Sequence, residues 1–85
     1  MLGIVEMVLY VKPWCPWCVT AREDLKRRGF VFREVDVTSS ESAFQEMRRL
    51  SGQSRAPVLL AGELVLADFG PPELQEFLVR HQIAP

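Results

Sequence analysis

Cys15 and Cys18 are the only cysteines in the chain, and only Pro16 and Trp17 lie between them. Thiols at that spacing close into a small disulfide ring and reopen at little structural cost. They follow an apolar, β-rich run and precede a helical pattern, which puts both at the mouth of a helix. The unpaired N–H groups and positive dipole end of a helix N-terminus stabilise a thiolate. A thiolate is the reactive form of cysteine. These residues therefore point to thiol–disulfide exchange. Cys15 attacks a disulfide, and Cys18, one turn further in, then attacks the mixed disulfide. The short spacing holds the second thiol at high effective concentration.

Other chemistries fit the two cysteines less well. As a structural staple they would close a loop too short to constrain the unfolded chain much. A closed zinc site needs four ligands, and the chain has no second CxxC and a single histidine, His81; no metal is expected. A redox-sensing interaction module, whose disulfide state alters a binding surface without turnover, remains an alternative.

The elements that position the pair can be read from the pattern. Val5 to Val11 has little periodicity, as in a strand covered on both faces. From Pro16 a helical stripe runs through Cys18, Ala21, Arg22 and Leu25, with Gly29 as its C-cap. Phe30 to Val37 alternates as a second strand. Thr38 and Glu41 form a capping box for a helix whose apolar face is Ala43, Phe44, Met47 and Leu50, and Ser51-Gly52 ends it. Val58 to Leu60 and Leu64 to Leu66 read as a hairpin around Ala61-Gly62-Glu63. Pro71-Pro72 starts a last helix with Leu74, Phe77, Leu78 and His81 facing inward. The order βαβαββα predicts an α/β fold: a four-stranded mixed sheet with helices on both faces.

Composition narrows the function further. Eighty-five residues make one domain, residues 1–85, that needs an efficient core. A formal net charge of −1 lacks the basic excess that nucleic-acid and membrane-surface binders use. No apolar run approaches the ~20 residues that span a bilayer. Residues Met1 to Glu6 lack the basic start and small-residue cleavage site of a secretory leader. Two cysteines at this spacing, rather than four or more, lead to the expectation of a redox pair in a reducing cytoplasm.

The element order, with Cys15-Pro16-Trp17-Cys18 after the first strand, resembles a glutaredoxin of the thioredoxin fold over nearly the whole chain. Lys12 lies three residues before Cys15 and Pro57 opens the third strand, as in that family. The resemblance implies a thiol–disulfide oxidoreductase with Cys15 and Cys18 catalytic and no resident cofactor. Its expected partners are disulfide-containing proteins, and the expected form is a monomer. Pro57 is expected to be cis beside Cys15, leaving the backbone of Ala56 to pair with an extended substrate. The charge of Lys12 would favour the thiolate and meet a carboxylate of a bound thiol peptide. Trp14 and Trp17 bracket Cys15 as recognition surface, and Arg55 offers a second cation.

Two stretches depart from the family pattern. Arg55-Ala56 stands where glutathione-binding members carry Thr-Val, and Leu66-Ala67-Asp68 stands in place of a glycine pair. The ending Phe69-Gly70-Pro71 is closer to glutaredoxin-like redoxins that serve ribonucleotide reductase and are recharged by thioredoxin reductase. Glutathione, as reductant or ligand, and thioredoxin reductase are therefore the two candidate electron donors. Asp68 and the lost glycines weaken the expected glutathione site. An iron–sulfur carrier role is the least supported reading, because cluster-holding relatives usually have one active-site cysteine.

Overall fold

The computed structural model describes residues 6–85. The chain runs β1 (Met7–Val11), α1 (Pro16–Arg27), β2 (Arg33–Asp36), α2 (Glu41–Ser51), β3 (Val58–Ala61), β4 (Leu64–Ala67) and α3 (Pro71–Arg80). One mixed sheet has the order β2-β1-β3-β4. β1 and β2 are parallel, joined by the crossover helix α1, whereas β3 pairs antiparallel with both β1 and β4. All five residues of β1 are buried, because helices cover both faces of the strand.

Alternate residues of the strands feed two cores. Met7, Leu9 and Val11 of β1, with Leu59 and Ala61 of β3, pack beneath α1 and α3 through Cys18, Ala21, Leu25, Leu74, Phe77 and Leu78. On the other face, Val8, Tyr10 and Val58 meet Met47 of α2, supported by Ala43, Phe44 and Leu50. The first two helices thus present their expected apolar stripes, and the last does so through Leu74, Phe77 and Leu78. Burial raises the pKa of the Tyr10 hydroxyl, and a hydrogen bond and charge from Glu46 reinforce the shift.

The boundaries differ from the sequence expectation in places, each for a local reason. The expected start of the first strand at Val5 lies outside the described residues. The second strand begins at Arg33 rather than Phe30, because the Phe30 N–H is still bonded to Leu25 at 3.1 Å as the chain leaves α1. Phe30 and Phe32 instead pack against the core. Arg28 is the C-cap of α1, and Gly29 follows it with φ 88°, a left-handed position that suits glycine. Thr38 does not cap α2. Its N–H and hydroxyl both turn back to Asp36 Oδ1, at 2.8 and 2.6 Å, so the cap passes to Ser40, whose Oγ accepts the Ala43 N–H. His81 is exposed rather than inward, since α3 ends at Arg80; its ring meets Phe77 edge-on at 5.0 Å.

Candidate functional site

The pairing of β1 with β3 builds the site. Tyr10 is opposite Val58 in that ladder, so the segment leaving β1 and the segment entering β3 run side by side. The first carries Lys12 to Cys15 and the second Ser54 to Pro57. A turn from Lys12 to Cys15, closed by the Cys15 N–H on the Lys12 carbonyl at 3.3 Å, delivers the first thiol to the mouth of α1. Cys15 is the N-cap of that helix, and its Sγ accepts the Cys18 N–H at 3.1 Å. Pro16, at the first helical position, has no N–H to leave unpaired there. The helix therefore directs a backbone donor at the first sulfur.

The two cysteines occupy different environments. Cys15 is half-buried, and its thiol faces the Ala56 carbonyl at 3.7 Å. Cys18 is only 1% exposed, in the core between α1 and the sheet. Burial pushes the Cys18 thiol up from 9.0 to about 12, the neighbouring Cys15 sulfur adding to the shift and Lys12 opposing it. A buried neutral thiol at Cys18 stabilises the reduced fold fully below about pH 9, and that stabilisation is lost as pH rises towards 12. Iodoacetamide at neutral pH should accordingly label Cys15, with Cys18 reacting only in alkaline solution or on unfolding. Peptide mapping checks this, and labelling of Cys18 first would reverse the assigned order of attack.

Around this pair the expected residues fall into place unequally. The Ala56–Pro57 peptide is cis, with Pro57 buried and Ala56 against Cys15. Lys12 donates through Nζ to the Ser54 carbonyl at 3.1 Å, which ties the two segments together. Arg55 forms an ion pair with Asp68 at 3.3 Å, and Asp68 adopts φ 55°. Trp17 is 62% exposed and walls a groove of about 480 Å³ that also takes in Arg55, Ala56, Pro57 and Asp68. Trp14, 75% exposed, is not part of that lining.

Other residues complete the groove. Phe69, Gly70, Pro71, Pro72 and Glu73 form its far side, and Trp17 closes on Ala21, Phe69, Pro71 and Leu74 with no water-sized space between them. A Cβ on Gly70 would lie 3.4 Å from Trp17 Cζ3 and from Glu73 Oε1, so the indole is seated against the start of α3. The sequence signal for this side was the run Phe69-Gly70-Pro71, which marked a family type but did not announce a groove wall. Among the described residues, no cluster of three or more His, Cys, Asp or Glu side chains is arranged to hold a metal ion.

The two thiols thus stand at a helix mouth beside a cis-proline loop. The glutaredoxin family model matches residues 7–65. The chain belongs to the glutaredoxin family. It is 33% identical over 70 residues to a glutaredoxin-like 8.6 kDa protein of the rubredoxin operon of Clostridium pasteurianum, covering 82% of this chain and 93% of that one. Among solved structures it superposes on the glutaredoxin-like NrdH-redoxin of Escherichia coli with a TM-score of 0.73, 28% identity and 94% and 99% coverage of the two chains. A glutaredoxin from Archaeoglobus fulgidus gives a TM-score of 0.76 at 25% identity, over 92% and 89% of the chains. The thioredoxin-like fold and a likeness to both a glutaredoxin and a glutaredoxin-like NrdH-redoxin are thereby shown. No helix among the described residues is long and apolar enough to cross a membrane.

Proposed function

We propose that the chain is a dithiol oxidoreductase that reduces protein disulfides in a reducing cytoplasm and is recharged by a reductase of the thioredoxin-reductase kind. The observation that carries the proposal is the asymmetry of the thiols: Cys15 caps α1 and is half-buried with its thiol facing Ala56, a residue of the groove, while Cys18 is buried one turn behind it. Cys15, as thiolate, attacks one sulfur of the substrate disulfide. A new S–S bond forms, the substrate S–S bond breaks, and the other substrate sulfur leaves as a thiolate. Cys18 must then give up its proton, which the departing substrate thiolate takes as the Cys18 sulfur attacks; with that thiol pushed up to about 12 the transfer is uphill and is drawn forward by the attack. The Cys18 sulfur attacks Cys15 Sγ, the mixed disulfide breaks, and the second substrate thiol is released. Two electrons pass to the substrate, and an external dithiol returns them.

The start of α3 favours a reductase over glutathione as donor. A ligand carboxylate would need free backbone N–H groups there. Pro71 and Pro72 have none, and the Gly70 N–H is already taken by Glu73 Oε1 at 2.9 Å. The E. coli neighbour is itself described as having a thioredoxin-like activity profile, which is consistent with this reading. Oxidised protein should therefore be reduced faster by NADPH with thioredoxin reductase than by glutathione with its reductase. Titration calorimetry should show no submillimolar affinity for glutathione. Submillimolar binding centred on Lys12, Ala56 and Asp68, together with efficient reduction by glutathione, would overturn the donor assignment.

A further inference from the structure

The charges around the groove beside Cys15 are met from within the protein. Three ionised residues line it: Arg55, Asp68 and Glu73. Arg55 is held by Asp68 at 3.3 Å, and Glu73 by the Gly70 N–H at 2.9 Å. Nearby, Lys12 is held by the Ser54 carbonyl. The lining thus carries one positive and two negative charges, and its one cation has an internal carboxylate. Its remaining surface is apolar, formed by Trp17, Pro57, Phe69, Pro71 and Pro72.

Arg55 and Asp68 come from different loops, thirteen residues apart, and their side chains are 74% and 58% exposed. An exposed pair of this kind is weak and sensitive to salt, so it stabilises the fold little. Its consequence lies in what Arg55 is prevented from doing. A guanidinium at the rim of the groove would otherwise be free to receive a carboxylate in bidentate fashion.

We infer that Asp68 is a specificity determinant: by holding Arg55 it disfavours anionic disulfides in the groove and leaves it to substrates whose disulfide is flanked by groups without negative charge. The inference rests on the oxidoreductase reading above and names the substrate class for it. Asp68 is a positioning residue here, acting through Arg55. Asn is the substitution of choice, because it removes the charge, keeps the size and tolerates the left-handed φ of 55° at this position.

The test is single-turnover reduction of two small disulfides of matched shape, dithiodipropionate, a dianion, and its uncharged diamide, by the fully reduced protein. Oxidation of the Cys15–Cys18 pair is followed by alkylation and mass. Asp68→Asn should raise the ratio of the rate constants, anionic over neutral, by about fivefold at low ionic strength. The gain should shrink toward nothing in ~1 M salt, and adding Arg55→Gln should remove it. Asp68→Glu should keep the original ratio. A ratio unchanged in Asp68→Asn, with both disulfides still reduced, would overturn the specificity role and leave the oxidoreductase reading standing. A rise that survives Arg55→Gln would overturn the part played by Arg55. Failure of the unsubstituted protein to reduce either disulfide would overturn both readings.

Discussion

Cys15→Ser is expected to abolish disulfide reduction, a loss on the order of a thousandfold or more, since no second nucleophile stands at the groove. Cys18 cannot take over. It is 1% exposed, and its thiol is pushed up to about 12, so at neutral pH it is protonated as well as inaccessible. Cys18→Ser should behave differently, because its nucleophile is intact but the resolving thiol is gone. Such a protein should accumulate a mixed disulfide through Cys15 when mixed with a disulfide substrate, seen as a stable adduct by mass spectrometry. Full reduction by the Cys15→Ser protein, or an adduct mapped to residue 18 in the native sequence, would show that the order of attack is the reverse.

Arg28→Met is expected to destabilise the fold by about 2–3 kcal/mol. The reason is Asp24, buried in α1 with a side chain 2% exposed. Its carboxylate is paired with Arg27, which is itself mostly exposed, and with Arg28, whose Nε lies 3.2 Å from Oδ2. That contact is an ion pair without hydrogen-bond alignment, as neither atom has another partner. Arg28 also reaches Gln75 of α3 through Nη1, so one guanidinium neutralises the buried acid and bridges two helices. Methionine would keep the packing of the stem but leave Asp24 with only the exposed Arg27. Removing one member of a fully buried pair costs ~3–5 kcal/mol, and the expected figure is lower because Arg28 is 24% exposed. Urea unfolding at neutral pH checks this. Asp24→Asn with Arg28→Met should recover part of the loss, whereas a single Arg28→Met within ~0.5 kcal/mol of native would show that Asp24 needs no buried cation.

The legible and illegible parts of this protein divide along physical lines. The chemistry was in the sequence because a CxxC after an apolar strand is local: Cys15, Pro16 and Cys18 set the helix mouth among themselves. The stripes Cys18-Ala21-Leu25 and Ala43-Phe44-Met47-Leu50 were equally readable, since helical periodicity repeats within a few turns and each buried the face it announced. The cis Ala56–Pro57 peptide beside Cys15 was anticipated from the family resemblance. Local reading failed where two side chains compete for one partner. Thr38 resembled a cap until Asp36 two residues away captured it, which moved the cap to Ser40. The inward face of α1 also omitted Asp24, because an acid enters a core only when a partner such as Arg28 follows it in.

Sequence alone determined the CxxC pair at a helix mouth, the order of elements and the apolar stripes of the helices, all of which depend on contacts within a few residues. Tertiary structure alone decided the state of the charges. Lys12 read as a cation for the thiolate, and the register of β1 with β3 adds the Ser54 carbonyl to its Nζ. Arg55 and Asp68 read as separate departures from a glutathione site, thirteen residues apart, and only the meeting of two loops makes them one ion pair. Electrostatic interaction depends on distance in space, and no local pattern in the chain encodes which loops will face each other across the groove.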